Sequence, residues 1–432
     1  MFFFKNRVVN LKKQRLIKHN KNPIMENKEK LPWELVEEIL SRVPPKPLIR
    51  FRTVCKRWNT LFDDNTFINN HKMTFQFILV TKSKVYSVSL NPQIEVRELT
   101  LDTPGLKDQK PNDLVDCNGF LLCGMKEGAV VCNPWSGQNR CIKAEVSQPS
   151  LEFRGIGYDD NRMGKKIVYK TVAFYLNNIS STTAWRIHNL ATDTWKYVLQ
   201  QAKREAPPQT FIIMHSTRGV SLNGTLYWVA YYHSHPSLFL VVRFDFRSGR
   251  YLKFCDLPCV TNDHRDALVL RVFRGDRLSL LKQCHVTKKI QIWVAKDKID
   301  KGYSRDVKWI IFMEVSIPNL PYLVQTQSYR QPSYFIDDRR DGKRLVVCSC
   351  DVNGRAWIYV VGDSKLISKT RLDSVVDPWP LHCTCVPSLV MVPGCQREDM
   401  EEKAERVNIS FVMFFVWLFG KLKFLFSKIN YF

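Results

Sequence analysis

A mainly β protein, with a small N-terminal helical module followed by a kelch-like, six-bladed β-propeller, is the fold this sequence predicts. Three observations predict it. Residues 31–62 carry apolar side chains at helical spacing. From about residue 72 the text turns into short β-branched and aromatic runs cut by Gly, Asn, Asp and Pro. Within that second part, one strand-and-turn phrase recurs six times.

The helical module reads LPWELVEEILSRVPPKPLIRFRTVCKRWNTLF. Pro32 suits the first position of a helix, and Glu34, Glu37 and Glu38 in the early turns oppose the macrodipole favourably. Leu35, Val36, Ile39 and Leu40 form one apolar stripe, and Pro44, Pro45 and Pro47 stop that helix. A second helix is predicted with Leu48, Phe51, Cys55 and Trp58 along one side, and Arg50, Arg52, Lys56 and Arg57 elsewhere; Leu61 and Phe62 close the segment. Two or three short helices in about 40 residues cannot bury both their faces. The leftover apolar surface points to docking on another protein, with a helical cap on the next domain as the alternative.

In the β region the recurring phrase is VYSVSLNP at 85, VVCNPWSGQ at 130, WRIHNLATDTW at 185, VRFDFRSGRY at 242, IQIWVAKD at 290 and AWIYVVGD at 356. A second phrase, a turn followed by a strand, precedes four of them: NGFLLC at 118, NGTLYW at 223, GDRLSLL at 275 and GKRLVVC at 342. Six copies of a roughly 50-residue unit are what a propeller with kelch-sized blades requires, with glycines at the hairpin turns and aromatics between blades. A β-sandwich is the structural alternative.

The 432 residues are 45% hydrophobic and 25% charged, ordinary globular composition that excludes a wholly disordered or fibrous chain. Formal net charge is +24. The first 24 residues hold seven bases and no acid. Lys12, Lys13, Arg15, Lys18 and Lys21 read either as a nuclear-import or nucleic-acid tag, or as text upstream of a working start at Met25; the second is preferred. Three consecutive phenylalanines are too few for a signal peptide. Residues 409–419 read ISFVMFFVWLF, shorter than the ~20 apolar residues of a membrane span and followed by Lys421 and Lys423. With snorkelling lysines, 407–426 would make a short tail anchor; an extraneous tail is the other reading. The expected organisation is a basic extension at 1–24, the helical module at 25–72, the β domain at 73–394, and a charged linker with apolar tail at 395–432.

The thirteen cysteines contain no C-x-x-C. Cys255/Cys259, Cys348/Cys350 and Cys383/Cys385 are the close pairs, the last two in strand-like text, so most cysteines are read as small buried hydrophobes in a reducing compartment. His233 and His235, with His215 nearby in sequence, form no ligand pattern of fixed spacing, and no metal or cofactor is expected. Neither a G-x-S-x-G elbow nor a phosphate-cradling glycine loop is present, and the pairs Asp159-Asp160 and Asp337-Asp338 read as turn formers. Arg274-Gly275-Asp276 sits in a repeated blade turn, and sequons begin at Asn178, Asn223 and Asn408 without a secretory signal. Basic clusters at Arg162/Lys165/Lys166, Lys288/Lys289 and Arg339/Arg340/Lys343/Arg344 fall in predicted turns; solubility charge is preferred to a face for an acidic partner, and no nucleic acid is expected.

Leu31-Pro32, Glu38-Ile39-Leu40, Arg42-Val43-Pro44, Arg52-Thr53-Val54-Cys55-Lys56 and Trp58 resemble the F-box pattern. The phrases GIGYDD, SLNGTLYWVA, RFDFRSGRY, FRGDRLSLL, IQIWVAKD, SYFIDD, RLVVC and VPSLVMVP resemble, in order, the type 1 F-box-associated interaction domain of the large plant F-box family. The two resemblances together imply a substrate receptor of an SCF-type cullin–RING ubiquitin ligase in the nucleus or cytoplasm. Its F-box would dock a Skp-type adaptor, and through it cullin and RING subunits, while the β domain captures an unknown target. Adaptor contacts are implied at Leu31, Pro32, Leu35, Ile39, Leu40, Val43, Val54, Cys55 and Trp58. The chain itself would be no enzyme, acting by proximity. A non-degradative or decayed family member and a lectin-like propeller are the alternatives. Pro47 departs from the family's usual Ser, and as a helix N1 residue it would cost little.

Overall fold

The computed structural model describes residues 31–90, 93–99, 111–144, 151–161, 165–177, 182–198, 212–216, 218–259, 262–300, 307–317, 323, 331–337, 343–351, 353–362, 365–373, 375 and 380–394. The basic N-terminal stretch, the apolar tail, Asn178, Asn408, Arg162, Arg339 and Arg340 lie outside them, as do the side chains of Lys165 and Lys166. No described helix is long and apolar enough to cross a membrane.

The chain divides between Val43 and Pro44. The first unit contributes helix α1 (Trp33–Leu40). Pro32 is its N-cap rather than its first residue, and the helix closes at Ser41, before the prolines, on hydrogen bonds from the Ser41 N–H. Glu38 and Arg42, one turn apart, form an exposed ion pair.

The second unit opens with α2 (Pro45–Phe51), α3 (Lys56–Leu61) and α4 (Asn65–Asn70). The prolines therefore start a helix as much as they stop one. Pro45 is the first residue of α2 and Pro47 the third, not the first as expected, and both are tolerated because first-turn N–H groups have no intrahelical acceptor. The single second helix expected from the sequence is broken at Arg52–Cys55. There the Thr53 hydroxyl donates to the Arg50 carbonyl at 2.9 Å, and Cys55 is extended. Asp64 caps α4 by accepting from the Thr66 N–H at 2.7 Å.

The rest is a six-bladed propeller of antiparallel sheets. Blade 1 is β1 (Phe77–Val80), β2 (Val85–Leu90) and β3 (Ile94–Leu99), completed on its inner edge by β25 (Leu381–Thr384). Blade 2 is β4 (Asp113–Cys117), β5 (Phe120–Met125), β6 (Gly128–Asn133) and β7 (Gln138–Lys143). Blade 3 is β8 (Leu151–Asn161), β9 (Lys165–Asn177), β10 (Thr182–Asn189) and β11 (Thr194–Val198). In blade 4, β12 (Ile212–Met214) and β13 (Val220–Leu222) both pair with β14 (Thr225–Tyr232), which is followed by β15 (His235–Asp245) and β16 (Arg250–Asp256). Blade 5 is β17 (Ala267–Phe273), β18 (Arg277–Gln283), β19 (Ile290–Ala295) and β20 (Trp309–Val315). Blade 6 is β21 (Ser333–Asp337), β22 (Arg344–Cys350), β23 (Ala356–Val361) and β24 (Leu366–Arg371). The sandwich alternative fails, because the sheets are six and their inner strands close a ring, β25 meeting β4, then β8, β13, β17, β21 and β25 again.

The six recurring phrases are the third strands of the six blades, β2, β6, β10, β15, β19 and β23, and the four turn-then-strand phrases open the second strands. Burial explains their legibility. The middle strands β5 and β6 are buried throughout, whereas the outer strand β24 alternates half-buried and exposed. Five apolar clusters lie between successive blades, from 2/3 around to 6/1; Tyr227, Phe254 and Leu270, for example, join blades 4 and 5. Asn118-Gly119 and Asn223-Gly224 hold positive φ at both turn residues, the twist a two-residue hairpin needs.

Candidate docking site

In the first unit, the residues singled out from the sequence separate into two groups. Leu40 and Val43 are buried. Pro32 and Leu35 are exposed, and Leu31 and Ile39 are half-buried. Leu35 and Ile39 are four residues apart on one helix face, so a pair of apolar side chains is left partly uncovered there; Leu31 lies before the N-cap, outside the helix.

In the second unit, the break between α2 and α3 presents Val54, 55% exposed, and Cys55, also exposed. Trp58 is half-buried, its ring 5.6 Å from Phe51 and 6.4 Å from Phe62. Arg52 fixes this arrangement. Its guanidinium donates to Asn59 Oδ1 (3.0 Å), Asp63 Oδ1 (2.7 Å) and the Phe62 carbonyl (3.2 Å), tying the end of α2 to the C-terminal turn of α3. Sequence reading placed Arg52 in a motif without giving it this role; the signal was its place beside the β-branched pair Thr53-Val54.

From Trp58 an unbroken run of rings leads into the propeller. Phe62 meets Phe67 at 5.7 Å, Phe67 meets His71 at 6.0 Å, and His71 meets Trp135 at 5.0 Å, edge to face. Trp135 follows β6 in the turn Asn133-Pro134-Trp135. The Asn133 side chain accepts from the N–H groups of Trp135 and Ser136 and donates to the Ser388 and Val390 carbonyls at 2.8 and 2.9 Å. The segment from α3 to His71 is thereby tied to the turn after β6 in blade 2.

The centre of the ring is crossed by polar side chains. Arg218, just before β13, pairs with Asp113 of β4. Arg271 of β17 donates to Asp116 of β4 at 2.9 Å and to the Ser333 hydroxyl of β21 at 3.3 Å, and that hydroxyl lies 3.0 Å from His382 Nδ1 of β25. Burial pushes the Asp116 carboxyl up, while Arg271 pulls it the other way. These contacts tie five of the six blades together across the axis. The sequence signal is a charge inside an otherwise apolar inner strand, as in ALVLRVF.

The other sequence candidates are dispersed. His233 and His235 lie on the β14–β15 hairpin and are exposed, while His215 packs edge-on against Phe239 at 5.3 Å. The Asn223 amide donates to the Ile299 carbonyl at 2.9 Å, so this sequon's side chain is used internally. Lys289 pairs with Glu314 at 3.0 Å, and Lys343 sits 4.4 Å from the centre of the Phe312 ring. Seven described cysteines are buried and two, Cys55 and Cys141, are exposed.

Residues 29–70 match the F-box domain, and residues 76–392 match the F-box associated beta propeller domain. The chain is an F-box protein. This F-box protein is 57% identical over 385 residues to an Arabidopsis thaliana protein named as an F-box/kelch-repeat protein, covering 87% of this chain and 90% of that one. A second F-box/kelch-repeat protein of Arabidopsis thaliana is 54% identical over 375 residues, covering 86% and 96%. A third Arabidopsis relative, jacalin-related lectin 38, is 37% identical over 378 residues, covering 86% of this chain and 69% of its own. No enzymatic family is indicated, and the F-box of this protein implies binding to a Skp-type adaptor.

Proposed function

We propose that this F-box protein is a substrate receptor of an SCF-type cullin–RING ubiquitin ligase, working in the nucleus or cytoplasm. The observation that carries the reading is one chain with an F-box at 29–70 and a propeller at 76–392. The uncovered apolar positions Pro32, Leu35, Val54 and Cys55 support it as adaptor contacts, joined by the half-buried Leu31, Ile39 and Trp58. Leu40 and Val43, the other two implied contacts, are buried. The adaptor brings cullin and RING subunits, and the propeller loops hold a target protein close to the charged conjugating enzyme. Rate is then gained through effective concentration.

Affinity capture of the full chain tests this, with wild type beside Leu31→Ala/Pro32→Ala. The adaptor and cullin should accompany the wild type and disappear with the variant; capture without adaptor sinks the reading. A glycan-binding propeller is the second reading, favoured by the relative named as a lectin. Binding to a glycan array that survives Leu31→Ala/Pro32→Ala, with no protein client, would decide for it.

A further inference from the structure

We propose that one end of blade 5 is a zinc site built from Asp266, Cys284 and His285. The hairpin creates the juxtaposition. Strands β17 and β18 pair as far as Ala267 opposite Gln283, so Asp266 and Cys284 are the next residues out on the two arms, and His285 follows. A carboxylate oxygen, a thiol sulfur and an imidazole nitrogen from these residues all lie within 4.8 Å of one another. Tetrahedral zinc with bonds of 2.0–2.3 Å needs ligand separations of roughly 3.3–3.8 Å; the Asp266 Oδ1–His285 Nδ1 pair, 2.9 Å apart, must therefore open by a few tenths of an ångström as the ion enters, while the Cys284 side chain turns towards them.

The ligands are held from behind. Asp266 is buried; its Oδ1 accepts from the His285 backbone N–H at 2.9 Å and lies 2.9 Å from His285 Nδ1. Its Oδ2 accepts from the Asp263 N–H at 3.2 Å and lies 3.4 Å from Lys282 Nζ. Lys282 thus occupies one carboxylate oxygen and leaves the other turned towards the imidazole. The Cys284 backbone is pinned on both sides, by its N–H to the Lys289 carbonyl and its carbonyl from the Lys288 N–H, each 3.0 Å. Supported ligands of this kind are what a metal site requires.

The donor set selects the metal. Magnesium and calcium take oxygen ligands, whereas one sulfur, one nitrogen and one oxygen suit zinc, with water in the fourth place. The ion takes the position of the proton between Asp266 Oδ1 and His285 Nδ1. That proton moves to Nε2 and the Cys284 thiol proton leaves, so one proton is released per ion, and thiolate and carboxylate balance the metal's two charges.

The full chain, stripped of metal, is titrated with Co(II) while the thiolate-to-cobalt charge-transfer band is followed, then challenged with Zn(II). One ion per chain, displacement by zinc and release of one proton are expected. Cys284→Ser should abolish the band, and His285→Gln should weaken binding about tenfold or more. Cys141→Ser, at an exposed thiol elsewhere, should change nothing. Absence of the band overturns the site, as does a band that persists in Cys284→Ser or disappears in Cys141→Ser. Near-ultraviolet circular dichroism of the metal-free variants shows that they fold.

Discussion

The indole N–H of Trp135 donates to the carbonyl of Met73 at 3.1 Å, joining the turn after β6 to the segment that leaves the last F-box helix. Met73 sits where the chain passes from helices to propeller, and His71 meets the same indole edge to face. Trp135→Phe keeps an aromatic ring there and removes the donor. A loss of about 1 kcal/mol is expected, and Trp135→Ala should lose about 3–5 kcal/mol. Urea unfolding of the full chain measures both.

Val54 and Arg52 are neighbours in one motif with opposite tasks. Val54→Asp should weaken adaptor binding at least tenfold and leave the melting temperature nearly unchanged, because the side chain is exposed. Arg52→Ala should lower both, since it removes the clamp on Asn59 and Asp63. Calorimetric titration with purified adaptor, paired with thermal melts, separates the two; equal effects on stability would refute the division.

Across the axis, Arg271 faces Asp116 at 2.9 Å, with both side chains less than a third exposed. Removing one partner strands the other. Arg271→Met is expected to cost on the order of 3 kcal/mol, and Arg271→Met/Asp116→Asn less than that single change. A double-mutant cycle in urea gives the coupling.

Gly119 has φ +82°, and a Cβ there would lie 2.2 Å from Ser388 Cβ. Gly119→Ala should destabilise the propeller by about 2–3 kcal/mol. Adding Ser388→Gly should recover only part of the steric cost, because the Val386 carbonyl oxygen and Ser388 nitrogen remain at 3.0 and 3.1 Å, and the positive-φ cost also stays, which denaturation midpoints of the single and double variants would show.

Burial lowers His215 to about 4 from an ordinary value near 6.5; Asp266 opposes this shift and His264 adds to it. The neutral ring is favoured in the folded state, so its contribution is complete above pH 6.5 and is lost as pH falls towards 4. About 2–3 kcal/mol should disappear over that window. In His215→Phe, the difference between stabilities at pH 7 and pH 4 should be smaller by that amount.

Third strands were readable because each couples a buried apolar run to a turn of fixed chemistry, as in VVCNPWSGQ, where Asn133 both shapes the turn and bonds across to Ser388. Outer strands such as Leu366–Arg371 were not, since alternating exposure looks like surface text. The helix break at Arg52–Cys55 was hidden for another reason: its cause is a side-chain clamp to residues in the next helix, which periodicity does not record. At the docking site the motif marked the segment, but only packing distinguishes exposed Leu35 from buried Leu40. Asp266 and Cys284 were separated in sequence and joined only by strand register.

Blade 1 takes its inner strand from residues 381–384 and its other three from residues 77–99. On the ribosome, the first strands of this blade must therefore wait for some 280 further residues, roughly 15–60 s at 5–20 residues per second. Throughout that interval the helices are already out, while β1 keeps an unpaired edge open to other strands. A newborn chain of this kind can meet its helical partner before it owns a finished ring, and it needs protection at β1 until Leu381 arrives.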